Sequence, residues 1–329
     1  MPVAVAMYDK SFEHIESLLN ALNLDIVVHT FGDDGQFQIN GAAVAPGDVD
    51  VDYFWLSSHV NDGKFRGKAF NLVLDCKSVG VLQTFNAGLD NPAYKKISDK
   101  GVRICNSSAQ AVAIAEYTMA HVLSLYHPID LQRSQQADKT WKSTPFRELS
   151  QTNWLIFGYG PIGQELSKRV KSFGASTSVI RRSPATSDVV DRAGTMADLE
   201  TFLPDADIVV LACPLNDDTR GFADTRFFAA MKKTAILVNI ARGKLIDDNA
   251  MISALDDDQL AMAVLDVFHT EPLPENDLLW SHPRVRITPH TSYAGNGARG
   301  RSDKLFLDNI ARFLKGEPFP DEVPPQDIV

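Results

Sequence analysis

The stretch "NWLIFGYGPIGQEL" occupies residues 153–166. "NWLIF" reads as a buried strand ending at Phe157, and "PIGQELSKRVKSF" as a helix with Pro161 in its first turn. Between them lies Gly158-Tyr159-Gly160-Pro161-Ile162-Gly163, a G-x-G-x-x-G turn. Such a turn alone is weak evidence, but a strand before it and a helix after it make it specific. Gly158 serves the tight turn, Gly160 the close approach of backbone to a pyrophosphate, and Gly163 the packing of helix on strand. The helix N-terminus adds N–H groups and a dipole that favour an anion. The next strand, "STSVI", ends in Arg181, Arg182 and Ser183. Dinucleotide-binding folds often carry an acid here, which accepts from a ribose 2′-OH. Two guanidinium groups can instead pair with a 2′-phosphate, and Ser183 adds a hydroxyl donor. NADP(H) is therefore the expected cofactor. NAD(H) is possible if the arginine pair merely decorates the surface.

Short apolar runs alternate with helical stretches on both sides of this unit. Upstream, "VAVAMYD", "DIVVHTF", "YFWLSS", "VGVLQTF" and "GVRICN" read as strands. "SFEHIESLLNAL" reads as a helix with Ser11 as its N-cap, and "AVAIAEYTMAHVLSLY" as a long apolar helix. Downstream, "DIVVLAC", "TAILVNI", "AMAVLDVF" and "RVRITPH" continue the series. "RSDKLFLDNIARFLKG" reads as an amphipathic helix, followed by a Pro-rich acidic tail. The βα alternation predicts an α/β protein with two doubly wound parallel-sheet domains. A Rossmann cofactor domain, 106–287, is expected as an insertion in a flavodoxin-like substrate domain formed by 1–105 and 288–329. The active site is expected in the cleft between them.

The 329 residues are 44% hydrophobic and 22% charged, with a formal net charge of −10. That acidity argues against nucleic acid or anionic membrane as a partner. No apolar run reaches the roughly 18–20 residues that span a bilayer. Cys76, Cys105 and Cys213 form neither a CxxC nor an even framework, so a cytoplasmic location is expected. The eight histidines are scattered and no HExxH occurs, so no metal site is expected. No G-x-S-x-G elbow points to a hydrolase.

Several blocks together resemble the D-isomer-specific 2-hydroxyacid dehydrogenase family. They are "FGYGPIGQEL", "LACPLNDDTRGF", "ILVNIARGKLID", "AVLDVFHTEPLP" and "RITPHTS", in the family's order, with "FNAGLDN" and "AEYTMAHVLSL" upstream. "NSSAQAVAIAEY" departs from the pattern by lacking a proline and glycine often found there. The arginine pair is similar to that of the NADPH-dependent glyoxylate/hydroxypyruvate reductase branch.

Reduction of a 2-oxo acid requires an anchored carboxylate, a polarised ketone and a proton donor. Arg242, at the end of the strand "AILVNI", is the candidate anchor and polariser, because its fork of donors stays charged. His290 is the candidate acid for reduction and base for oxidation, since imidazole exchanges protons near neutrality. Glu271 is its candidate partner. The resemblance implies that backbone at Ala87, Gly88 and Leu89 binds the substrate carboxylate, with Arg242 and His290 also touching substrate. It also implies that Asp266 and the main chain at Ile240 hold the nicotinamide amide. Cys213, Pro214, Thr219 and Ala241 are read as lining the cofactor cleft. Trp55 is read either as a wall of the substrate pocket or as plain core.

The resulting expectation is hydride transfer from NADPH to a small 2-oxo acid, glyoxylate or hydroxypyruvate. One alternative is an NAD-dependent dehydrogenase for a larger hydroxy acid. Another is a dinucleotide-sensing interaction protein on the same scaffold. The resemblance further suggests a homodimer, with Trp141 near its interface.

Overall fold

Strand β1 (Val3–Tyr8) opens the chain and α1 (Asp9–Ala21) returns over it to β2 (Ile26–Phe31). The computed structural model describes residues 2–62, 65 and 68–328. A hairpin, β3 (Phe37–Ile39) and β4 (Ala42–Val44), precedes β5 (Asp50–Leu56), α2 (Ala69–Asp75), β6 (Ser78–Thr84), α3 (Pro92–Ser98) and β7 (Arg103–Cys105). The chain then builds a second sheet. Helices α4 (Ala111–Tyr126) and α5 (Ile129–Ala137) lead to β8 (Asn153–Phe157), α6 (Pro161–Ser172), β9 (Ser176–Ile180) and β10 (Arg192–Gly194). There follow α7 (Leu199–Phe202), β11 (Ile208–Leu211), α8 (Thr225–Ala230), β12 (Ile236–Asn239), α9 (Asp248–Asp256), β13 (Met262–Leu265) and β14 (Val285–Ile287). Finally α10 (Ala298–Lys315) and β15 (Glu322–Val323) rejoin the first unit.

The first sheet runs β15-β7-β6-β5-β1-β2-β3-β4, parallel from β2 through β7, with antiparallel additions at both edges. Without those additions its order is the flavodoxin-like one, with a switch point between β1 and β5. The second runs β10-β9-β8-β11-β12-β13-β14, parallel throughout, with its switch point between β8 and β11. Both are the doubly wound α/β units expected. A parallel sheet covered on both faces needs strands that are apolar along their length. "IVVL" in β11 and "ILVN" in β12 meet that need, and every residue of both is buried. One face of the second sheet packs α4 and α6 through Ile114, Met119, Val122, Leu166 and Val170.

The compact units divide after Gln110 and after Gly295, later than the expected 105 and 287. Side-chain bonds account for both shifts. The Asn106 amide donates to Ala87 O at 2.8 Å and the Gln110 amide to Phe85 O at 3.1 Å, tying 106–110 to the first unit. The segment after β14 is held in the second unit by Asp266, described below. One local reading is corrected. Ser11 does not cap α1: the helix starts at Asp9, and buried Ser11 Oγ meets Ser57 Oγ at 2.5 Å. The acidic tail adds to the first sheet, because Glu322–Val323 pairs with β7.

Candidate active site

The glycine turn has the geometry its spacing requires. Gly158 has φ +95°, and a Cβ there would lie 2.6 Å from Ala212 O. A Cβ on Gly163 would lie 2.2 Å from Gly158 O, so any larger residue would push α6 off β8. Gly160, in contrast, has nothing within 4 Å of its missing Cβ. That open side lies at the N-terminus of α6, which no side chain caps. A helix start with open backbone before it is an anion cradle. At the end of β9 the Arg181 guanidinium lies over the Tyr159 ring, 5.3 Å from its centroid. The structure thus brings Arg181 onto the glycine turn itself, with Arg182 and Ser183 exposed just beyond it. The loop after β11 is closed by its own side chains: Thr219 Oγ1 donates to Pro214 O at 2.8 Å, and Thr219 N–H donates to Asn216 Oδ1 at 3.0 Å. Burial pushes the Cys213 thiol up to about 12, which keeps it protonated and unreactive.

Arg242 follows β12 at the carboxyl end of the sheet, the edge where doubly wound folds bind ligands. Asn239 shapes its loop, donating to Arg242 O at 2.8 Å and accepting from Ala241 N–H at 3.1 Å. The next residue must be glycine: a Cβ on Gly243 would lie 2.1 Å from the Phe268 carbonyl carbon. The Arg242 loop therefore rests directly on the backbone that leads to Glu271. Ile240 and Ala241 are buried beneath it.

Asp266 organises the other half of the site. It is fully buried at the end of β13. Its Oδ1 accepts from Thr288 Oγ1 at 2.6 Å and Thr291 N–H at 2.8 Å, and its Oδ2 accepts from Ser292 N–H at 2.9 Å. A buried carboxylate is tolerable only with such donors. Thr288 has one hydroxyl proton and gives it to Asp266. The 2.5 Å contact between Thr288 Oγ1 and Tyr117 OH must then be a bond donated by Tyr117. Burial pushes Tyr117 up to about 12, so it keeps that proton. Asp266 thus positions the segment that carries His290, a role that the sequence reading did not assign to it.

Held in this way, His290 takes φ +48°, a left-handed conformation uncommon outside glycine and costing about 1 kcal/mol or more. Its N–H bonds Thr288 O at 3.0 Å. Its Nδ1 meets Glu271 Oε2 at 2.7 Å, while Glu271 Oε1 accepts Phe268 N–H at 2.9 Å. With Nδ1–H donated to the carboxylate, Nε2 is the ring atom left to exchange a proton. Both side chains are partly open to solvent.

In the first unit the segment Ala87, Gly88, Leu89 follows β6. Ala87 O is bound by Asn106, and Ser107 N–H donates to Asn86 O at 2.9 Å, which stiffens the loop. Trp55 is corrected to core. It is fully buried in β5 and stacks on Phe306 with ring centroids 4.2 Å apart. Sequence reasoning also missed Tyr117, Asn239, Thr288 and Gly243. Only the position of Gly243 beside Arg242 offered a signal.

Residues 119–292 match the family "D-isomer specific 2-hydroxyacid dehydrogenase, NAD binding domain". The chain belongs to that family. It is 32% identical over 249 residues to the glyoxylate reductase of Thermofilum pendens, covering 72% of each chain. Its fold is similar to that of a D-isomer specific 2-hydroxyacid dehydrogenase from Xanthobacter autotrophicus Py2, solved in complex with NADPH and MES. That likeness has a TM-score of 0.77 at 23% identity and covers 100% of this chain and 99% of the other. The NADPH-dependent glyoxylate/hydroxypyruvate reductase of Sinorhizobium meliloti, solved with NADP and sulfate, superimposes with a TM-score of 0.75 at 21% identity. It covers 100% of this chain and 99% of that one. As a family member, this chain is an NAD(P)-dependent D-2-hydroxyacid dehydrogenase. Among the described residues, no helix is long and apolar enough to cross a membrane.

Proposed function

We propose that this dehydrogenase reduces a small 2-oxo acid, glyoxylate or hydroxypyruvate, with NADPH. The observation that carries the reading is the Glu271–His290 pair. One carboxylate oxygen is fixed by backbone and the other by Nδ1, which leaves Nε2 directed to chemistry. Arg242 anchors the substrate carboxylate and polarises the ketone. His290 delivers its Nε2 proton to the carbonyl oxygen, and Glu271 orients the ring through Nδ1. Backbone at Ala87, Gly88 and Leu89 binds the substrate carboxylate.

Bound NADPH supplies the hydride. The glycine turn, Pro161, Ile162 and the loop at Cys213, Pro214 and Thr219 hold its pyrophosphate and flanking sugars, and Ile240, Ala241 and Asp266 its nicotinamide end. Arg181, placed on Tyr159, favours a 2′-phosphate together with Arg182 and Ser183. The bound NADPH and NADP of the two solved relatives support the same choice. The chain is further proposed to act as a homodimer, because Trp141 is wholly exposed and Phe146 half exposed in the segment after α5.

Initial rates of NADPH and NADH oxidation with glyoxylate, hydroxypyruvate, pyruvate and phenylpyruvate test the reading. Fast NADPH oxidation with one of the first two acids is expected. A clear preference for NADH would make the arginine pair a surface feature. Tight dinucleotide binding without turnover would favour a sensor.

A further inference from the structure

Three side chains far apart in sequence meet on the first unit. His14 lies on α1, His59 in the single 3-10 turn Ser58–Asn61 after β5, and Asp303 on α10. One ligating atom from each lies within 4.8 Å of the other two. His14 Nε2 is 3.3 Å from Asp303 Oδ2, and His59 Nε2 is 3.8 Å from Asp303 Oδ1. His59 and Asp303 are more than nine-tenths buried, yet among the described residues His59 Nε2 and Asp303 Oδ1 have no hydrogen-bond partner. Buried polar atoms left in this state cost free energy unless something else occupies them.

We infer that His14, His59 and Asp303 form a binding site for a divalent transition-metal ion, with zinc the best-matched. Two imidazoles and one carboxylate suit zinc and its borderline neighbours rather than calcium or magnesium, which prefer oxygen donors throughout. Ligand atoms around a tetrahedral zinc stand about 3.3 Å apart. Reaching that spacing asks the widest gap, at most 4.8 Å, to close by up to about 1.5 Å, through movement of the exposed His14 side chain and a smaller one between His59 and Asp303. The backbone beneath His59 is fixed by its N–H, which donates to Ser57 Oγ at 3.2 Å, and the ring Nδ1 faces Asp62 Oδ2 at an ion-pair distance of 4.0 Å. Asp62 is in turn held by Arg299 at 2.9 Å. A carboxylate behind the far nitrogen is the usual support of a metal-bound histidine. The fourth position opens on the His14 side, where water completes the shell. The ion joins the first sixty residues to the helix that returns after the inserted unit, so its role is to clamp α10 in place.

The test is calorimetric titration of zinc into the metal-stripped full-length chain, followed by thermal unfolding with and without zinc. One ion per chain is expected, together with a raised Tm. His14→Ala changes an exposed residue, so the fold should survive. It should weaken binding about 100-fold or more and abolish the Tm rise. Asp303→Asn should do the same. His290→Ala should leave zinc binding unchanged. Absence of saturable binding, equal affinity in His14→Ala, or loss of binding in His290→Ala would each overturn the proposal.

Discussion

Asp266 in the second unit and Asp303 in the first are both buried, yet the fold treats them differently. Asp266 receives three donors from the segment that follows β14, and both its oxygens are satisfied. Asp303 faces His59 with one oxygen that has no hydrogen bond among the described residues. In the second unit Asp266 shapes a loop, and the proposed chemistry lies one step outward, at His290 and Glu271. In the first unit the buried acid is itself the available group. Burial of a polar residue therefore does not mark a functional atom. The state of its hydrogen bonds decides whether it positions others or awaits a partner.

The comparison can be broken at several points. If the loops of the second unit carry the chemistry, Arg242→Ala should lower kcat/KM for the 2-oxo acid by about 10²- to 10⁴-fold, with part of the loss in KM. A fall in kcat alone would mean that Arg242 does not anchor the carboxylate. Asp266→Asn leaves at least one N–H or hydroxyl donor misdirected in a buried site and should cost about 3 kcal/mol in denaturant unfolding. Asp303→Asn in metal-free protein should cost less than about 1 kcal/mol. Equal costs would erase the distinction between the two acids. Arg181→Ala should reduce kcat/KM with NADPH about 10-fold, or about 1.4 kcal/mol, and leave NADH nearly unaffected. A parallel loss with both cofactors would assign Arg181 to the stability of the turn.

The smallest effect concerns pH. Burial, aided by Arg286 and opposed by Asp266, lowers the His121 imidazole from its ordinary value. Burial likewise lowers His29 in the first unit, against the pull of Asp52. The folded state prefers both rings neutral. Their contribution to stability is complete above the unfolded value near 6.5 and is lost as pH falls through the lower folded values. Tm should therefore drop on acidification from about pH 7.5 to about pH 5.5, and His121→Gln should flatten the drop. Identical slopes for the variant and the parent chain would remove His121 from that account.

Local signals made much of this legible. "NWLIF" and "STSVI" are strands with the expected bounds, and Pro161 starts α6. Each rests on neighbours in sequence: an apolar run, a glycine turn, a proline at a helix start. The candidates Arg242, Glu271 and His290 stand out in the sequence because each lies in a recognisable block that follows a strand, and the structure brings Glu271 and His290 together. What was missed is nonlocal. Whether Trp55 lines a pocket or the core depends on Phe306, some 250 residues away. The Tyr117–Thr288–Asp266 chain and the His14–His59–Asp303 cluster exist only once distant segments pack. The hairpin at β3 and β4 has short strands and no strong periodicity to announce it.

The most direct test is single-turnover oxidation of NADPH, at saturating cofactor and with the best 2-oxo acid, by the parent chain and by His290→Ala. If His290 delivers the proton, the variant should be about 10²- to 10⁴-fold slower, while its affinity for NADPH changes little. An unchanged rate in His290→Ala would contradict the account and move the proton donor elsewhere.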